Sequence, residues 1–208
     1  MDEARQVRDF WFGKLPMTAQ TLDQRLKLWF PEDESPDVRQ NRDKAIRARF
    51  GSLVERAMLG ELASWADSPR RCLSLLILLD QFPRNLYRGT ARAFAGDDQA
   101  VAITLSGMES AADGALDIVE RIFFYMPLQH CEVREVQEES VAAYRRLLME
   151  APQELRGAFD EALKAAEEHR AIIERFGRFP HRNRALERAS TREEEAWLGA
   201  GGGDGMGQ

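Results

Sequence analysis

The stretch LSLLILLDQFPRNLYRG, residues 73–89, constrains the fold of this chain more than any other. From Leu73 to Phe82 it is apolar almost all round, and such a helix has to be covered on most sides. The uninterrupted run, Leu75–Leu79, is far shorter than the ~20 residues that span a bilayer. The rest of the chain therefore has to wrap it. Ser68 and Pro69 supply an N-cap hydroxyl and a first-turn proline just upstream. Pro83, which has no N–H and disfavours helical geometry at Phe82, is expected to end the helix.

Apolar spacings of three and four place further helices over residues 3–12, 21–30, 37–50 and 53–65 before this segment. After it they place helices over 97–112, 116–125, 131–149 and 153–176. Asp97 is read as the cap of the first of these, and Pro127 as the stop of the second. Ser190 or Thr191, each with a glutamate three residues on, offers a capping box for a last helix to Leu198. No alternating strand pattern occurs. The expected fold is all-α, with antiparallel helical hairpins stacked in series through short Pro/Gly turns. Residues 1–198 read as one domain, and the glycine-rich residues 199–208 as a disordered tail or a cloning remnant.

A hydrophobic content of 44% excludes global disorder. A formal charge of −6 argues against a dedicated binder of nucleic acid or anionic membrane. Cys72 and Cys131 make neither a disulfide framework nor a metal-ligand spacing. The charged start MDEARQVRDF is not a signal peptide, so a cytoplasmic location is the expectation. Oligomeric state is not readable; Trp11, Trp29 and Trp65 are read as core between hairpins.

Three segments share one format: an apolar helix closing on an aromatic, then proline, then polar groups. They are DQFPRNLYR (80–88), FFYMPLQHCE (123–132) and RFGRFPHRN (175–183). His130 and His181 follow such prolines, and His169 lies two turns upstream of the third. Asp80 has the strongest physical demand. It closes a buried helix at the negative dipole end, where an acid is disfavoured by ~0.3–1 kcal/mol, so it needs a cation. Arg84, Arg88 and Arg182 are the candidates, and a structural clamp is preferred to a catalytic acid. Asn85 and Asn183 are read as caps or bridges for freed backbone groups, and Tyr87 as a core-edge aromatic seeking a hydroxyl partner.

His130 with Glu132 is the candidate acid–base pair, against the plainer reading that Glu132 suits a helix start. The arginines of 178–184 beside Arg84 and Arg88 suit a phosphate or carboxylate. Histidines 130, 169 and 181 are of a type that binds zinc or iron, but no spacing is a ligand motif, so no metal or cofactor is assigned.

The segments DQFPRNLYRGTARAF, ERIFFYMPLQHCE and HRAIIERFGRFPHRN, with the opening DFWFG and the closing STREEEAWL, closely resemble the bacterial domain-of-unknown-function family 924. The resemblance runs over roughly Val7–Leu198. It implies a tetratricopeptide-repeat-like, right-handed superhelix, and it supplies no activity, substrate or cofactor. The functional expectation is a binding or scaffold module whose polar inner pocket takes a small anionic ligand or peptide. Its binding residues are drawn from Asp80, Arg84, Asn85, Tyr87, Arg88, His130, His169, His181, Arg182 and Asn183. Whether the chain is an enzyme is left open. The alternatives are a hydrolase using His130 with Asp80 or Glu132 and an arginine-lined anion site, and a polar cluster that only locks the core.

Overall fold

The computed structural model describes residues 2–31 and 35–203, and among them every regular element is helical. The α-helices are α1 (Glu3–Phe12), α2 (Ala19–Trp29), α3 (Pro36–Met58), α4 (Pro69–Leu76), α5 (Phe82–Leu86), α6 (Asp97–Glu109), α7 (Ile118–Gln129), α8 (Arg134–Glu150), α9 (Arg156–Phe176) and α10 (Arg192–Gly199). Helix α4 packs on α1, α6 and α7, while α8 lies between α7 and α9.

The apolar run is the centre of the molecule. Every residue from Cys72 to Asp80 is buried. Pro83 does not end the helix as its lack of an N–H suggested. The chain widens into a π turn, Ile77–Gln81, in which the Phe82 N–H reaches back to the Ile77 carbonyl, and then continues as α5. A proline ring inside a regular helix collides with the carbonyl four residues before it, here Leu79. The wider turn relieves that collision. The Leu79 carbonyl instead faces Gly96, where an added Cβ would stand 2.4 Å from its oxygen.

Pro127 likewise sits inside a helix, since α7 runs on to Gln129. Hydroxyls from neighbouring helices bond carbonyls in the turn before it. Tyr144 donates to the Ile122 carbonyl at 2.7 Å, and Thr104 to that of Phe124 at 3.2 Å. Two expected helices also merge into one α3, which passes through Gly51. Ser68 makes no side-chain cap, and Gly96, not Asp97, is the N-cap of α6. Thr191 and Glu194 form the expected capping box.

An aromatic cluster closes the core around α4 and α5. Trp29 meets Phe123 at 4.6 Å between ring centres, and Trp11 lies edge-on to Phe82 at 5.6 Å. Trp65 is buried as well. A smaller core of Ile172, Ile173 and Phe179, flanked by Phe176 and Trp197, seats the C-terminal segment. Gly202 and Gly203 lie against Trp197 and His181; residues 204–208 are outside the described residues.

Gly96→Ala should cost about 1–3 kcal/mol, because its methyl meets a backbone oxygen that cannot rotate away. Urea denaturation would show this as a lowered midpoint; an unchanged midpoint would contradict the close approach.

Candidate functional site

The π turn and the start of α5 place Asp80 and Arg84 on one side of the central helix. The Asp80 carboxylate receives His130 Nδ1 at 2.6 Å and lies 3.1 Å from the Arg84 guanidinium, with Gln81 on its other oxygen. Arg84 also donates to the Asp80 backbone carbonyl and makes a two-bond fork with Asp97, both arms 2.9 Å. Arg182 arrives from the far end of the chain. It reaches Asp97 at 3.3 Å and the His130 carbonyl at 3.0 Å. Its guanidinium lies between the rings of Phe94 and Phe179, at 4.7 and 4.5 Å.

Two arginines thus face two aspartates in a site closed to water, and the charges balance if His130 is neutral. The electrostatics make it so. Burial, then the charge of Arg84, pull His130 down to about 4. Burial opposes ionisation of Asp80, but Arg84 and His130 outweigh it and hold the carboxyl well below its usual range. Burial and Arg84 lower Arg182 to about 10, so it stays charged at neutral pH. The Nε atoms of Arg84 and Arg182 are buried without partners, and the flat faces of both side chains rest on Phe94 instead.

With Nδ1–H committed to Asp80, the His130 Nε2 carries the free lone pair. That tautomer suits a proton acceptor; Asp80, Arg84 and His130 line neither of the two surface cavities described below. His169 and His181 complete a row of rings. His130 stands 6.1 Å from His169, and Phe179 lies 5.5 Å from each of His169 and His181. Burial lowers both His169 and His181 to about 4. His169 donates Nδ1–H to the Ala165 carbonyl at 2.7 Å, while His181 Nδ1 is enclosed without a partner. No group of residues among those described is arranged to hold a metal ion.

Glu132 does not hold His130. It accepts the Phe179 N–H at 2.8 Å and a fork from Arg188, at 2.6 and 3.0 Å. Burial works against its charge, but Arg188 prevails and lowers its pKa. Arg188 continues to Asn183, whose amide reaches Ser190 at 3.1 Å and Glu194 at 3.4 Å. Glu194 is clasped by both arms of Arg178 and lowered to about 2, the Arg178 bonds being the main cause. This second network fastens the segment after α9 to the start of α8. On its outer side lies a pocket of about 210 Å³, bounded by His181, Asn183, Arg184, Ser190, Leu198 and Gly203.

Six of the ten expected site residues therefore converge: Asp80, Arg84, His130, His169, His181 and Arg182. Asn183 joins them through the second network. Asn85, Tyr87 and Arg88 do not. Asn85 binds the Asp43 carboxylate at 3.1 Å, Arg88 faces the same residue at 3.7 Å, and Tyr87 donates to Glu55. All three tie α5 and the turn after it to α3. Neither asparagine bridges backbone groups as expected; their amide partners are side chains. Asp97 and Phe94 escaped the sequence reading. Asp97 reads as a helix cap, and nothing local points it at an arginine in another helix.

All three histidines have depressed pKa values in the folded chain, so the unfolded chain takes up the extra protons between about 6.5 and about 4. Stability is fully present above that window and falls with decreasing pH, by about 1.4 kcal/mol per pH unit for each histidine. Urea midpoints measured from neutral pH down to about 4.5 should fall steadily, and His169→Gln should flatten the slope by about one proton's worth. A midpoint independent of pH would contradict the buried neutral histidines.

Over residues 7–202 the chain matches the family described as "Bacterial protein of unknown function (DUF924)". It is similar to a solved structure of a protein of unknown function from Agrobacterium tumefaciens, with 33% identity and a TM-score of 0.76 over 94% of this chain and 96% of that one. No protein of curated function matches it. No described helix is long and apolar enough to cross a membrane. The chain belongs to the DUF924 family of bacterial proteins of unknown function.

Proposed function

We propose that this protein is a binding module for a small anion, a phosphate or carboxylate, and that the ligand sits in the pocket between the 180–184 turn and Gly203. The observation that carries the reading is the composition of that wall. His181 and Asn183 line it, and so does Arg184, an exposed guanidinium with no carboxylate partner among the described residues. A volume of about 210 Å³ suits an ion or a ligand of a few heavy atoms rather than a cofactor. Gly203 is held at φ +88°, and a Cβ there would stand 2.9 Å from His181 Cβ, so glycine lets the chain close over the ring. The repeat-like superhelix that the family resemblance implies belongs to this reading, since helical-repeat bodies act by presenting a surface.

In this account the Asp80–Arg84–Asp97–Arg182 cluster positions the pocket and does not contact the ligand, because Arg182 adjoins His181 and Asn183 in the chain. A second reading, acid–base work by His130, is favoured by the Asp80 bond that fixes its tautomer. His130 lines neither this pocket nor the larger cavity between α1, α2 and α3.

Inorganic phosphate, malonate and citrate should each be titrated against the protein by thermal shift. At least one is expected to raise the melting temperature saturably, and Arg184→Ala should abolish the rise while leaving the ligand-free melting temperature unchanged. No rise with any of the three, or a rise that survives in Arg184→Ala, would overturn the reading.

A further inference from the structure

The larger cavity lies on the opposite part of the chain, between α1, α2 and α3. It encloses about 630 Å³ and is lined by Phe10, Arg25, Leu28, Arg42 and Arg49, with Asp9 as its acidic member. In a chain of net charge −6 this is a local concentration of positive charge. Asp9 is engaged by Arg5 at 3.3 Å. The guanidinium of Arg49 lies 4.7 Å over the Phe10 ring and 5.0 Å from that of Phe50, and no carboxylate among the described residues meets it. A guanidinium resting over aromatic rings keeps its N–H groups available for the two oxygens of a carboxylate. Arg25 spends one nitrogen on the carbonyls of Phe10 and Trp11, both at 3.3 Å, and it too has no carboxylate partner among the described residues. Arg42 hydrogen-bonds the Leu28 carbonyl at 3.1 Å, fixing one wall. The side chain of Leu28, 41% exposed, adds an apolar surface beside Phe10.

We propose that this groove is a docking site for an acidic peptide segment of a partner protein, one that carries an apolar side chain between carboxylates. The carboxylates pair with Arg49 and Arg25, and the apolar side chain covers Leu28 and Phe10. Charge complementarity selects the occupant: a basic or neutral segment leaves the arginine edges unsatisfied, while a wholly polar one leaves Leu28 wet. The site is independent of the small-anion pocket and shares no residue with it.

The test is selection of a displayed random heptapeptide library on the intact protein, followed by fluorescence anisotropy with the synthetic consensus peptide. Enrichment of sequences with acidic residues flanking a leucine or an aromatic is expected. Arg49→Ala should weaken the consensus peptide about tenfold or more, the size of a lost charge-assisted bond pair. Arg49→Lys should restore only part of that, because an ammonium lacks the fork. Arg184→Ala should bind like the parent, which separates this site from the pocket proposed above. No enrichment over the bare surface, a consensus without acidic residues, or equal affinity for Arg49→Ala would each overturn the proposal.

Discussion

A carboxylate inside a helix buried on every side cannot be left alone, and much of this structure follows from satisfying Asp80. Ionised and closed to water, it is held by Arg84 and by the imidazole of His130. Arg84 is then itself a buried cation, which Asp97 neutralises with a two-bond fork. Asp97 in turn receives Arg182. Each group answers the demand created by the one before it, and the series stops where charge balances. Because the members lie on the central helix, α6, the end of α7 and the segment after α9, the network joins parts of the chain that are distant in sequence.

The π turn makes that geometry available. Pro83 prevents a regular turn at Leu79, and the widened backbone keeps Asp80 and Arg84 on the inner side while turning the Leu79 carbonyl to Gly96. Gly96 immediately precedes Asp97, so the same close approach brings the second aspartate within reach of Arg84. The C-terminal segment is fastened twice, by Arg182 at the buried cluster and by Glu132 with Arg188 nearer the surface. Between these fastenings and Gly203 lies the small pocket. Both networks stand behind its walls.

The helices were legible in the sequence because apolar spacing is a local signal, and so was the need of Asp80 for a cation. Pro83 and Pro127 read as stops because the rule for proline is local too. What surrounds them here is not: a π turn at Pro83, and at Pro127 a helix packed against α4, α6 and α8. The pairing of His130 with Glu132 failed for a related reason. They are two residues apart, but the start of α8 sends Glu132 to Arg188, and the partner of His130 is 50 residues away. Asn85, Tyr87 and Arg88 shared a motif with Asp80, yet the turn of the helix carries them to α3. The three proline-containing segments meet in the fold, and only the three-dimensional packing separates the buried cluster from the residues that face α3.

Four buried charges that neutralise one another in series are expected to stabilise the fold jointly. A double-mutant cycle on Arg84 and Asp97, using Arg84→Met, Asp97→Asn and the pair, tests it most directly by urea denaturation. Each single change is predicted to cost about 3–5 kcal/mol, since it strands a buried charge. The double variant should lose less than the sum of the two, by about 2 kcal/mol of coupling. Single variants as stable as the parent, or strictly additive losses, would contradict the account.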